Sequence, residues 1–587
     1  MTDVKVTNGV ARLKRPSDEY PRHYVPAELD LSDMEAIEPY FRELHKREID
    51  SAEGLEKWLM DLSELYSVVH EEDARLYIAM TCATDDEEAK KRYFHFVENI
   101  EPQLKSWGNK LDKKLIDIPY LSELDSSRYG VLIRDVKNEL ELFREENIPI
   151  ETELTKLSQE YQSIQGAMTV EYKGKEYTMQ QMAAFLEEPN REVRQETWEL
   201  ASKRRLQDAD ALDELFNRMM ELRNKSAANA GFDNYMDFRF KQLGRFDYTP
   251  DDCLVFHDSV EKVVMPVYNK ILSERKSILG TETLRPWDLS VDPYNRPPLK
   301  PFSKAEELMD GCRRIFEKVN PTLGSYFKRM IENGLLDLES HKGKAPGGYQ
   351  AGLQEVRLPF IFMNAVGLNN DVITLLHEGG HSFHQFAVRN EPLVHYRHAP
   401  MEFSEVASMS MELLGANYID EFYNPAEAAR ARKKHLERII LIFPWVATID
   451  AFQHWIYSHP KHTIEERDNY WLELFGRFGG DVDYSGYEDI LRKLWQRQLH
   501  IFEVPFYYIE YGIAQLGALQ VWRNSKADMK KAVDDYLHGL SLGGSRRLPE
   551  LFEGAAIRFD FSEETIKPLV DTVVEELDKL SEIEKSE

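Results

Sequence analysis

Asn369-Asn370-Asp371-Val372-Ile373-Thr374-Leu375-Leu376-His377-Glu378-Gly379-Gly380-His381-Ser382-Phe383-His384-Gln385-Phe386-Ala387 is the stretch on which the reading of this chain turns. Val372, Ile373, Leu375, Leu376, Phe383 and Phe386 recur at helical spacing, and Asn370 or Asp371 can cap the start. On that helix His377 and His381 stand four apart, one a turn above the other, so two imidazoles can share one metal ion. Glu378 follows the first imidazole and points aside, where it can reach a water at the metal without ligating it. Gly379 and Gly380 each cost about 1 kcal/mol relative to Ala inside a helix. Their use points to a helix face that must admit a close neighbour or a substrate.

Outward from this stretch, a catalytic zinc needs a third protein ligand and an open position. Met401 to Tyr418 reads as a second helix, on which Glu402, Glu405, Met409 and Glu412 form one stripe, opposite Phe403, Val406, Ala407 and Leu414. Three carboxylates in one stripe of a mostly apolar helix repel unless a cation or water covers them. Glu405, 24 residues after His381, is the preferred ligand; Glu412, two turns on, suits an orienting partner. Glu402, Glu412 and His384 stay open as alternatives. A metzincin arrangement is excluded, because its Gly and His positions hold His384 and Ala387. Upstream, residues 338–364 carry Gly343, Pro346, Gly347, Gly348, Gly352 and Pro359 between short apolar runs, a small β element whose edge can take a peptide by strand addition. Downstream, His500 to Gly512 gathers His500, Tyr507, Tyr508 and Tyr511, donors of the type that stabilise an oxyanion.

The remainder is helical text. Ser32 with Glu35 reads as a capping box. Long apolar stripes such as Leu55, Trp58, Leu59, Leu62, Leu65 and Tyr66 predict an antiparallel helical bundle to about residue 164. Val170 to Thr178 reads as a hairpin turning at Lys173-Gly174, and one helix is expected from Ser303 to about Phe327. The 587 residues carry 42% hydrophobic and 30% charged residues and a net charge of −29, which argues against nucleic acid or an anionic membrane as partner. Cys82, Cys253 and Cys312 form no CxxC. Met1 to Lys5 lacks the apolar core of a signal peptide, and the most apolar run, Ile439 to Ala447, is short and contains Pro444. A cytoplasmic location is expected.

With these residues in view, the chain resembles the oligoendopeptidase F group of the thimet-oligopeptidase-like zinc metallopeptidases. The resemblance rests on Gly343 to Tyr349, Pro359, Asn364, His377-Glu378-Gly379-Gly380-His381, Phe403 to Ser408, Asp450 to Trp455 and Phe506 to Tyr511, and covers roughly 180–587. It implies a mainly α, two-lobed helical shell around a deep substrate channel, with a small β-sheet next to the zinc helix. It implies one Zn2+ per chain on His377, His381 and Glu405, with Glu378 as general base and His500 and Tyr511 as transition-state donors. Tyr507, Tyr508, Gly348 and Tyr349 are the expected substrate contacts. The expected division is a helical lobe over 1–190 and a catalytic domain over 191–587, and the expected substrates are short unstructured peptides. Two departures stand out: Gly379 occupies a position where the group carries a bulky apolar residue, and Glu503-Val504-Pro505 replaces the thimet-type glycine-rich loop. The competing functions are a peptide-binding protein with an inactive zinc site and a zinc exopeptidase. The intact Glu378 speaks against the first; the second lacks an upstream Gly-x-Met-x-Asn-like segment to hold a free amine.

Overall fold

The computed structural model describes residues 9–345 and 347–585; Met1 to Lys5 and the breaker Pro346 lie outside them. The fold is mainly α. Near the N-terminus, helix α1 (Ala52–Cys82) starts at Ser51, whose hydroxyl accepts from the Gly54 amide at 3.1 Å. Leu55, Trp58, Leu59, Leu62 and Leu65 are buried along one stripe of it, each side chain worth roughly 1.5–3 kcal/mol on burial. They form a first core with Phe41, Phe96, Leu111 and Leu132. A second, larger core takes in Val10 and Ile78 and then runs from Leu142 to Leu580. These two cores are the centres of the two lobes.

Several local expectations are revised. The first long N-terminal helix begins at Met34, because Asp33 rather than Ser32 is the cap and accepts from the Glu35 amide. The helix expected from Ser303 to Phe327 is two, Ala305–Val319 and Pro321–Glu332. Asn320 is extended at the junction and Pro321 opens the next helix, where its missing N–H is no loss. The hairpin is present as β1 (Thr169–Tyr172) and β2 (Lys175–Thr178), with Lys173 and Gly174 both at positive φ, as a tight two-residue turn requires.

The second sheet is built from β3 (Leu336–Glu339), β4 (Tyr349–Leu353) and β5 (Leu358–Ala365), in the order β3-β5-β4. Central β5 is parallel to β3 and antiparallel to β4, and β4 is an edge strand. The chain then enters α2 (Asn369–Val388), turns through a short loop, and forms α3 (Met401–Gly415). That loop docks into the first lobe: Leu393 and Tyr396 join its core, Tyr396 donates to the Arg128 carbonyl at 2.7 Å, and Arg128 pairs with Glu391. The connection between α2 and α3 thus carries part of the contact between lobes.

Helix α4 (Pro425–Ser458) contains the apolar run Ile439–Ala447 and continues through Pro444. By length and apolarity it could cross a bilayer, a point the short run alone did not reveal. However, 78% of its most apolar window is buried inside the protein, which accounts for its composition as a core helix. Helices α5 (Ile509–Ala527) and α6 (Glu563–Lys585) complete the large core.

Candidate metal centre and active site

The N-terminus of α2 is capped by an indirect device. Neither Asn370 nor Asp371 is the N-cap residue; Leu368 is, and Asp371 reaches back so that one carboxylate oxygen accepts from both the Val366 and Leu368 amides at 2.8 Å. The apolar residues of the helix are buried as their spacing requires. Its two glycines have separate reasons. A Cβ on Gly379 would stand 2.6 Å from the ring of Phe316, which fills the space of a bulky side chain. A Cβ on Gly380 would stand 2.5 Å from the Ala407 carbonyl oxygen and 2.6 Å from the Ser408 Cα. Gly380 therefore lets the backbone of α3 lie against α2, and this contact delivers Glu405 to the two histidines.

Glu405 Oε2 lies 3.4 Å from His377 Nε2 and 3.7 Å from His381 Nε2. Donors held ~2.0–2.1 Å from a tetrahedral zinc stand roughly 3.3–3.4 Å apart, so this set fits the ion with little adjustment. His377 Nδ1 donates to Glu412 Oε1 at 2.6 Å, and His435 Nε2 donates to Glu412 Oε2 at 2.9 Å. This commits Nδ1 of His377 to Glu412 and leaves its Nε2 facing Glu405 and His381. His435 carried no signal in the sequence, since a single histidine on a long helix has no partner at readable spacing.

The electrostatics describe a site built for a cation. Burial alone would lower the pKa of His377, but the hydrogen bond to Glu412 and the charges of Glu412, Glu405 and Glu378 lift it to about 9. Burial raises Glu405, against the opposing His377 charge and the Ser408 hydroxyl that donates to it at 2.9 Å. Burial would raise Glu412 too, but its two histidine partners hold it at about 2. Glu378 is pushed up to about 7, by burial first and then by the Glu405 and Glu412 charges, with His377 opposing.

The other candidates separate. Glu402 is turned away from the histidines: it accepts from the Tyr248 hydroxyl at 2.7 Å and lies near buried Arg245. His384 is buried against Phe403, and burial lowers its pKa to about 4. It stands outside the cluster formed by His377, His381 and Glu405. Gly348 is exposed beside Thr374, one turn before His377, so the edge strand begins next to the motif. Tyr349 stacks on Phe362 and its hydroxyl bonds Thr81 of α1 at 2.6 Å, so its side chain serves the contact between lobes.

His500 sits in the short helix Leu499–Glu503, Tyr507 and Tyr508 in the following turn, and Tyr511 in the first turn of α5. Phe506, between them, is at φ +66°, a left-handed conformation that costs a non-glycine residue on the order of 1–3 kcal/mol. Distant side chains hold it there. Its amide donates to Gln453 at 2.8 Å, and its carbonyl accepts from Arg245 at 2.5 Å. Arg239 holds the Pro505 carbonyl, and Arg223 those of Ile501 and Phe502.

The tyrosines then divide. Tyr507 and Tyr511 share a hydrogen bond; burial raises both, followed by the Tyr511 and then the Glu405 charge for Tyr507 and by the Glu405 charge for Tyr511, which reaches about 12. Tyr508 is buried and faces Trp445, Gln498 and Arg497. The proton on His500 can also be placed. The Trp445 indole, a donor only, points at Gln498 Oε1 at 3.2 Å, so the Gln498 amide nitrogen faces His500 Nδ1 at 2.7 Å. Nδ1 accepts, and Nε2 carries the hydrogen.

Comparison with known proteins places the chain in a family. The model of peptidase family M3 matches residues 184–570, and that of the peptidase M3 N-terminal domain matches 27–143. The chain is 28% identical over 297 residues to an oligoendopeptidase F homolog of Borreliella burgdorferi, covering 48% of each chain. It is 25% identical over 410 residues to oligopeptidase PepF of Bacillus subtilis, covering 68% of this chain and 59% of the relative. The matched region thus spans about half the length of these curated relatives. A solved structure of PZ peptidase A with an inhibitor superposes at a TM-score of 0.85 and 28% identity, over 94% of this chain and 98% of that one.

Proposed function

The chain belongs to peptidase family M3, and from that premise we propose that it is a zinc-dependent oligoendopeptidase that hydrolyses internal bonds of short unstructured peptides. The observation that carries the proposal is the convergence of His377, His381 and Glu405 donor atoms beside Glu378. When bound there, zinc supplies Lewis acidity that polarises a scissile carbonyl and acidifies water. Glu378 takes the proton from the attacking water and returns it to the leaving amine. Tyr511 and His500 Nε2–H donate to the oxygen that gains charge, and Tyr507 supports Tyr511. The peptide lies along edge strand β4 at Gly348 and Tyr349, adding a strand. The lobe built on the large core carries the chemistry, while the N-terminal helical lobe built around Phe41 and Trp58 narrows the substrate channel to chains that lack folded structure. Buried thiols at Cys253 and Cys312 accord with a reducing cytoplasmic setting.

The test is Glu378→Gln. The variant is expected to keep its zinc and lose kcat by roughly 10²–10⁴-fold on a quenched oligopeptide. Cleavage at the wild-type rate would remove Glu378 from the mechanism, and trimming only from peptide ends would make the enzyme an exopeptidase.

A further inference from the structure

Two helices of the large core repeat the i, i+4 spacing of the metal helix with a different donor set. The helix Pro250–Ser259 carries Cys253 and His257, and α4 carries Asp450 and His454. At that spacing each pair lies on one face of its helix. The two faces meet inside the core, where Cys253 and Asp450 are fully buried and His257 and His454 nearly so. Cys253 Sγ, a carboxylate oxygen of Asp450 and a ring nitrogen of His454 lie within 4.8 Å of one another. His257 Nε2 stands 2.9 Å from Asp450 Oδ2, and His454 Nε2 stands 3.2 Å from the same oxygen.

The polar groups of this cluster do not satisfy one another. Asp450 Oδ2 accepts from His257, but Asp450 Oδ1 and His454 Nε2 are buried without a hydrogen-bond partner among the described residues. Buried polar atoms in that state are rare, and a water or an ion commonly accounts for them. An unpartnered carboxylate oxygen, an unpartnered imidazole nitrogen and a thiol gathered in one place are a donor set for a borderline-soft divalent metal. The charges agree. A thiolate and a carboxylate balance a divalent ion and the imidazole stays neutral, so the ion and its ligands lie in the core without net charge. Arg245, whose charge reaches Cys253, is already neutralised by Glu510 and Glu402. His257 holds the carboxylate by its other oxygen, as an outer partner that orients a metal ligand does.

We propose that Cys253, Asp450 and His454 form a second metal site, for zinc or a similar divalent ion, with His257 orienting Asp450. On binding, the Cys253 thiol gives its proton to solvent and its sulfur bonds the metal. The consequence is mechanical. Gln453, beside His454 on α4, holds the Phe506 amide at 2.8 Å, and the His454 ring stands 5.7 Å from the Phe506 ring. A metal that ties α4 to the helix Pro250–Ser259 stiffens the support of the left-handed turn between His500 and Tyr511. The two centres fill in order. The side chains of His377 and His381 are 24% and 18% exposed, whereas the second set is closed. The first equivalent of metal loads the catalytic centre, and the second enters with metal in excess, through local opening of the two helices.

The experiment titrates the full chain, already holding one equivalent of zinc, with Co2+ until the absorption spectrum is constant. A thiolate on Co2+ gives an intense near-ultraviolet charge-transfer band. The catalytic donors His377, His381 and Glu405 include no sulfur, so the band reports the second site. The expected result is a band that saturates at one further metal per chain, is absent in Cys253→Ser and persists in Cys312→Ser. His257→Leu is expected to weaken Co2+ binding roughly 10–100-fold, as loss of an orienting partner does. Zn2+ in excess should displace the band, and should raise the Tm of the wild type but not of Cys253→Ser. A wild type that shows no band and takes up no further metal would overturn the proposal, leaving Asp450, His257 and His454 as a metal-free polar cluster. A band of full strength in Cys253→Ser would overturn it too, since the thiolate would lie elsewhere. None of these readouts uses peptide cleavage, so the proposal stands or falls apart from the peptidase reading.

Discussion

The two halves of the candidate site are built in opposite ways. The metal-ligand half is two helices whose own spacing aims the donors: His377 and His381 at i and i+4, and Glu405 and Glu412 two turns apart on the helix that follows. The donor half is a turn with no regular spacing, shaped by remote side chains. Arg223, Arg239, Arg245 and Gln453 hold the backbone around Phe506, and Trp445 sets the amide of Gln498. The first half is preorganised by periodicity and the second by tertiary contact. Function at such a site needs both, since the donors act only when fixed relative to the attacked carbon.

The sharpest way to probe the difference is within the turn. Tyr511→Phe is expected to lower kcat by roughly 10²–10³-fold, the range for loss of one oxyanion donor. Tyr508→Phe, on a buried ring facing Trp445, is expected to change kcat far less. Steady-state kinetics on a quenched peptide checks both, and a larger effect at Tyr508 would reverse the orientation assigned to the turn. On the helical side, Glu412→Gln keeps an acceptor for His377 but removes the charge. Zinc affinity measured by competition with a chelator is expected to fall roughly 10–100-fold. An unchanged affinity would reduce Glu412 to a packing role.

The smallest expected effect tests the close approach of the two helices. A methyl at Gly380 would press on the Ala407 carbonyl, a backbone atom with little room to give. Gly380→Ala should destabilise by about 1–3 kcal/mol in denaturant unfolding, despite its better helix propensity. Gly379→Ala meets a phenylalanine ring instead and should cost less.

This contrast also explains what could be read from the sequence. The helical character, the hairpin at Lys173-Gly174, the sheet before α2 and the convergence of His377, His381 and Glu405 all follow from patterns within about 30 residues. Spacing alone misplaces the cap of α2, because Asp371 acts three positions inside the helix rather than at its start. It also misses the break at Asn320-Pro321, because the apolar pattern continues across it. His435 and Arg245 were out of reach for another reason: each acts on a residue far along the chain, Glu412 and Phe506, and no spacing links them. The tyrosines could be listed but not ranked, since their directions depend on a left-handed residue that is not a glycine.

The measurement that bears most directly on the central claim is zinc content and peptide cleavage, side by side, in wild type and Glu405→Ala. One zinc per chain and internal cleavage in wild type, with both lost in the variant, is the predicted result. A Glu405→Ala protein that retains its zinc stoichiometry and its activity would contradict the assignment of the third ligand and, with it, the centre formed by α2 and α3.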